Sequence, residues 1–165
     1  MGIAATMAER GRPEEKFQDG FGNRSQGIID LPTGPVRWIN CLKQDGSQYS
    51  PPQWWAVFGI PDERRFSEQR AVKIKTVRKK SIPLFGKVVD VTWQGEDHAT
   101  RLLSAFANDP MVKSFVKQTG DMEIESHAGE FQGWTVQVSG KFKANQQDWD
   151  IVVRIAERLL SCPQP

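Results

Sequence analysis

The sequence predicts an α+β fold: an antiparallel sheet with two main helices packed on one face, a ferredoxin-like or related sandwich. Three observations carry this expectation. Between residues 87 and 161, periodic segments follow one another without a break in the order strand, helix, strand, strand, helix. Upstream, apolar residues at 36, 38 and 42 and again at 72 and 74 recur with the period of two that marks half-buried strands. The composition suits one core, because 38% of the 165 residues are hydrophobic, with six Trp and nine Phe, and the charged 25% are nearly balanced in sign. A flexible tail over residues 1–27 and a single α+β domain over 28–165 follow from this layout.

In chain order, residues 1–27 mix Gly, Arg, Glu, Gln and Ser without either period, which is why they read as a tail. A short edge strand is expected from Ile28 to Leu31, closed by the turn cluster Pro32-Thr33-Gly34-Pro35. Val36, Trp38, Asn40 and Leu42 alternate with Arg37, Ile39, Cys41 and Lys43 as the next strand, and the dense apolar run from Trp54 to Ile60 reads as another. Val72, Ile74 and Thr76 then alternate with Lys73, Lys75 and Val77, giving a strand with a basic outer face. Its expected antiparallel partner holds Val89, Val91 and Trp93, across a long loop with an apolar tip at Ile82-Pro83-Leu84-Phe85.

Asp97 is the expected cap of a helix that buries Ala99, Leu102, Leu103, Phe106 and Ala107. Asn108-Asp109-Pro110 breaks it, a second helical stretch carries Met111, Val112, Phe115 and Val116, and Thr119-Gly120 stops that. Strands around Met122–Ile124 and from Trp134 through Phe142 form a hairpin, and a terminal helix runs from Gln146 to Ser161 with Asn145 as cap.

Charge is unevenly spread. Residues 1–63 hold six Lys/Arg against eight Asp/Glu, residues 64–87 nine against one, and residues 88–165 seven against eleven, which gives −2, +8 and −4 and recovers the net +2. One reading of the basic window is a polyanion site on Arg70, Lys73, Lys75, Arg78, Lys79 and Lys80, able to track a nucleic-acid backbone or attract anionic lipid headgroups. The plainer reading is a lysine-studded strand that resists edge-to-edge aggregation.

Trp54 and Trp55 are adjacent on a strand, so they cannot both point inward; one is expected to face a partner, the tail or a ligand groove. Glu96, Asp97 and His98 gather at a strand-to-helix junction where acid–base groups are often presented, although helix-capping electrostatics with an exposed imidazole is the favoured account. His127 beside Glu125 and Glu130 reads as a turn histidine, and Glu123 with Glu125 as a solvated strand face. The chain has no GxSxG elbow, no GxGxxG after a strand and no Walker loop. Cys41 and Cys162 are too far apart in sequence for a CxxC centre, so no metal or cofactor is expected.

The N-terminal residues lack the apolar stretch of a secretory signal, and no run approaches the roughly 18–20 apolar residues that span a bilayer, so a soluble, cytoplasmic protein is expected. The function these features favour is a non-catalytic binding domain for a protein partner or small apolar ligand at Trp54 and Trp55. Binding of nucleic acid or another polyanion through residues 64–87 is the alternative.

Overall fold

The computed structural model describes residues 6–8, 23–48, 50–82, 86–139 and 145–164. Strands β1 (Thr6–Ala8), β2 (Asn23–Asp30), β3 (Trp38–Gln44), β4 (Gln53–Pro61), β5 (Lys73–Lys80), β6 (Val88–Glu96), β7 (Met122–Ala128) and β8 (Gln132–Ser139) form one sheet in the order β1-β2-β3-β4-β8-β7-β5-β6. Every neighbouring pair is antiparallel. Helices α1 (Leu102–Ala107), α2 (Pro110–Thr119) and α3 (Gln146–Ser161) complete a mixed α+β fold that is mostly sheet.

Strand β5 is flanked by β6 and β7 and runs against both, so β6 and β7 point the same way. The chain needs a crossover between them, and α1 and α2 supply it.

The sheet has two apolar clusters. The larger joins Phe58, Ile60, Ile74, Val91, Ile124, Trp134 and Val136 of the strands to Leu102 and Phe106 of α1, Val112 and Phe115 of α2, and Ile151, Val152, Ile155 and Leu159 of α3. Each such fully buried aliphatic or aromatic side chain contributes about 1.5–3 kcal/mol relative to exposure. The smaller cluster holds Ile28, Trp38, Leu42 and Val57, with Trp55 and Phe131 packed against it. Here Gly59 is required by its neighbour: a Cβ would collide with the Trp38 indole, which stands edge-on to Phe131 at 5.4 Å. Beside this cluster the buried Ser25 hydroxyl donates to Asn40 Oδ1 at 2.8 Å.

The helices end where local chemistry ends them. Asn145 Oδ1 accepts from the Asp148 N–H at 2.8 Å to start α3, and Asp109 Oδ1 accepts from the N–H groups of Met111 and Val112 at 2.9 and 3.2 Å to start α2, with Pro110 at its first position. Gly120, at φ +144°, closes α2 and lies against the Ser139 carbonyl, where a Cβ would clash. The C-terminus of α3 is tied to the end of β4. Arg64 donates to the Leu159 and Cys162 carbonyls while gripping the buried Asp62 carboxylate, which also accepts from Trp134 Nε1 at 3.0 Å.

Three local expectations are corrected. Helix α1 begins at Leu102 rather than near Asp97, because His98, Ala99 and Arg101 all take left-handed backbone angles; Ala99 is exposed and not part of the core. Asp97 still serves the helix, accepting from the Leu103 N–H at 3.2 Å. Strand β2 starts at Asn23 and lies between β1 and β3, so it is an interior strand and not a short edge. The end of the long hairpin loop, Pro83-Leu84-Phe85, and Phe142 lie outside the described residues. Among the described residues no helix is long and apolar enough to cross a membrane.

Candidate ligand groove at the split between β5 and β7

Strand β5 is built by alternation. Ile74 and Thr76 turn inward, and Lys73, Lys75 and Val77 turn outward. It pairs with β6 along its whole length, from Lys73↔Glu96 to Lys80↔Val88, but with β7 only over Lys73↔Glu125, Ile74↔Ile124 and Lys75↔Glu123. From Thr76 onward β5 has a strand on one side only. Two side chains bridge the opening. Thr76 Oγ1 accepts from the Met122 N–H at 2.9 Å, and Arg78 donates from Nε and Nη2 to the two Asp121 oxygens at 2.7 and 3.0 Å.

The split leaves an open groove of about 550 Å³, inside the range of small-ligand pockets. Trp55 on β4 forms one wall, and Lys75, Arg78, Lys80, Gln94 and Gln137 supply polar groups. Trp55 thereby meets part of the basic strand, two features that the sequence presents separately. Its indole N–H is buried without a hydrogen-bond partner.

The remaining predicted residues are placed elsewhere. Trp54 is 52% exposed on the opposite side of β4, with the Lys43 ammonium 5.9 Å from the centre of its ring. Arg70 ends an exposed 3₁₀ turn over Glu68–Arg70. Lys79 pairs across β5 and β6 with Asp90. Lys73 is held by Glu123 at 2.9 Å and Glu125 at 3.2 Å, and the hydrogen bond it donates to Glu123 is the main cause of its ammonium pKa rising. Two of the nine cations counted along residues 64–87, Lys73 and Arg78, are therefore met by β7 and the residue before it, and Arg64 is consumed at the end of α3. Lys75, by contrast, has no ion pair among the described residues, and neither Gln94 nor Gln137 uses its amide in a side-chain hydrogen bond there.

Of the acid–base candidates, His98 Nε2 lies 3.5 Å from Glu96 Oε2, and the Asp97 carboxylate is occupied as a helix cap. His127 Nε2 is 2.7 Å from the Thr135 hydroxyl on the neighbouring strand, and burial pushes its imidazole pKa down. Cys41 and Cys162 are separate free thiols whose pKa values burial raises, the opposite of what an activated nucleophile needs. Among the described residues no three His, Cys, Asp or Glu side chains gather closely enough to hold a metal ion.

Sequence reading missed Gln94, Gln137, Asp121 and Met122 as groove residues. Gln94 and Gln137 occupy alternate outward positions on strands, but nothing local says which strands are neighbours. No family model matches this chain, and neither a curated protein nor a solved structure is significantly similar to it.

Proposed function

We propose that this chain is a non-catalytic binding domain whose ligand lies in the groove between β5 and β7. The ligand is a small molecule or a short segment of a protein partner that sets an apolar group against Trp55 and an anionic group toward Lys75. The observation that carries this reading is the meeting, in one opening, of an aromatic wall with an ammonium and two amides that have no side-chain partner among the described residues. Sites of this make-up use apolar surface for affinity and a few polar groups for orientation. An acceptor that reaches the Trp55 N–H would also relieve a burial cost of about 1–3 kcal/mol. The same reading takes the helices as backing for one face, as in a ferredoxin-like sandwich, which leaves the other face of β5 to β8 to the ligand. The single core shared by all three helices supports that view.

An NMR titration of the labelled chain with a fragment mixture tests the proposal. The side-chain amides of Gln94 and Gln137 and the Trp55 indole N–H should shift together, and Trp55→Ala should weaken binding at least about tenfold without unfolding the chain. Shifts confined to the helices would refute the groove. The alternative, polyanion binding through Arg70, Lys73, Lys75, Arg78, Lys79 and Lys80, has the lysines of β5 in its favour and the ion pairs to Asp121, Glu123 and Glu125 against it. A mobility-shift titration at two salt concentrations decides it: binding unchanged in Lys73→Glu/Lys75→Glu would sink the alternative.

A further inference from the structure

The β5–β6 hairpin carries a second surface that shares Val77 and Lys80 with the groove but adds Ile82 and Val89, which do not line it. Among the described residues the large hydrophobic side chains left exposed are Trp54, Val77, Ile82, Val89, Met111 and Leu160, and three of these lie on this one hairpin. Ile82 is 63% exposed in the connecting loop, and Val89 is 51% exposed on β6. The Ser81 N–H donates to the Lys87 carbonyl at 2.9 Å and the Gly86 N–H to the Ile82 carbonyl at 3.0 Å, which joins the two strands at the base of their connection. The sequence between Ile82 and Gly86, Pro83-Leu84-Phe85, lies outside the described residues.

Lysines lie on the same hairpin and on the helix beside β6. Lys79, Lys80 and Lys87 are exposed on the hairpin itself. From α2, Lys117 Nζ donates to the Val89 carbonyl at 2.8 Å, and Lys113 Nζ lies 3.8 Å from Asp90 Oδ1. Asp90 is the acidic residue among them. A hydrogen bond from the Val91 N–H, followed by the fields of Lys113, Lys117 and Lys79, holds its carboxyl below the usual range.

We infer that the β5–β6 hairpin docks on an anionic lipid surface, with Ile82 and Val89 entering the headgroup boundary while Lys79, Lys80, Lys87, Lys113 and Lys117 face acidic headgroups. Interfacial binding needs buried apolar area and electrostatic attraction together, and this hairpin supplies both. A nucleic-acid strand would use the lysines but give Ile82 and Val89 nothing to bury against. It would instead call for an aromatic stacking platform, yet the aromatic ring of β6, Trp93, is packed on Phe106 at 5.2 Å. Protein interfaces, for their part, are depleted in lysine.

Flotation of the full chain with phosphatidylcholine vesicles, with and without phosphatidylserine, tests the inference. The chain should float only when phosphatidylserine is present. Ile82→Ser/Val89→Ser and Lys79→Glu/Lys87→Glu should each lower the bound fraction at least about tenfold. Circular dichroism should show both variants folded, because every changed side chain is exposed. Trp55→Ala, which damages the groove, should float like the unaltered chain, so a failure here is distinct from a failure of the groove reading. No recruitment by phosphatidylserine, full recruitment of Ile82→Ser/Val89→Ser, or tighter retention by a single-stranded oligonucleotide than by these vesicles would each overturn it.

Discussion

Arg64 and Arg78 each grip an aspartate with two of their N–H groups, yet the two pairs sit in different surroundings. Asp62 is 4% exposed and also holds the Trp134 indole, while its arginine reaches on to the last carbonyls of α3. Asp121 is 56% exposed and stands at the mouth of a groove. The same chemistry therefore does two jobs. Burial makes the first pair a joint between helix and sheet, because removing one partner strands the other's polar groups away from water. Solvent leaves the second worth little for stability and able to exchange its partner for a ligand.

The largest expected effect is on the first pair. Asp62→Ala should cost about 3 kcal/mol in a denaturant melt, since it leaves the Trp134 N–H without its acceptor and the Arg64 guanidinium, still held by the Leu159 and Cys162 carbonyls, without its counter-charge. A cost like that of an exposed pair would break the comparison.

Acid titration sharpens it, because each region answers in its own pH window. Burial pushes the Asp62 carboxyl up, but hydrogen bonds from Arg64 and Trp134 outweigh this and its pKa is lowered on folding. Its contribution stands above the ordinary carboxylate value of about 3.9 and is lost as pH falls through the lower folded value. His127 is a base whose pKa burial lowers, with Glu125 opposing. The unfolded chain binds that proton better, so stability should decline as pH drops below about 6.5 and level off beneath the folded value. Thermal melts across this range should show two separate losses, and His127→Gln should remove only the upper one.

The smallest effect falls on the groove pair. Asp121→Ala should change stability by less than about 1 kcal/mol in the same melts. A larger loss would mean that Arg78 and Asp121 help to hold β5 in place.

How legible these regions were in the sequence follows from how local their causes are. Helices α2 and α3 were readable because spacing, cap and stop signal all lie within the segment: Asp109-Pro110 begins α2, and Asn145 begins α3. The β5–β6 hairpin was readable from its alternation. The start of α1 was not, because Ala99 fits a helical period as well as Leu102 does, and nothing in His98-Ala99-Thr100-Arg101 announces left-handed backbone. The joint at Asp62 was invisible for another reason. Trp134 and the α3 carbonyls lie far along the chain from Asp62 and Arg64, and Arg64 counted as one more cation in a basic run. Half of the groove could be read, since Trp55 and the lysines stood out by type, but Gln94 and Gln137 become neighbours only through a strand order that no local pattern encodes.

The ladder that joins β5 to β7 stops after three residue pairs. The sheet is consequently two plates meeting at a short weld, and a change of twist between them breaks few backbone hydrogen bonds. The opening beside Trp55 borders that short ladder, whereas the joint at Asp62 is bound to β8 through Trp134 and to the end of α3 through Arg64.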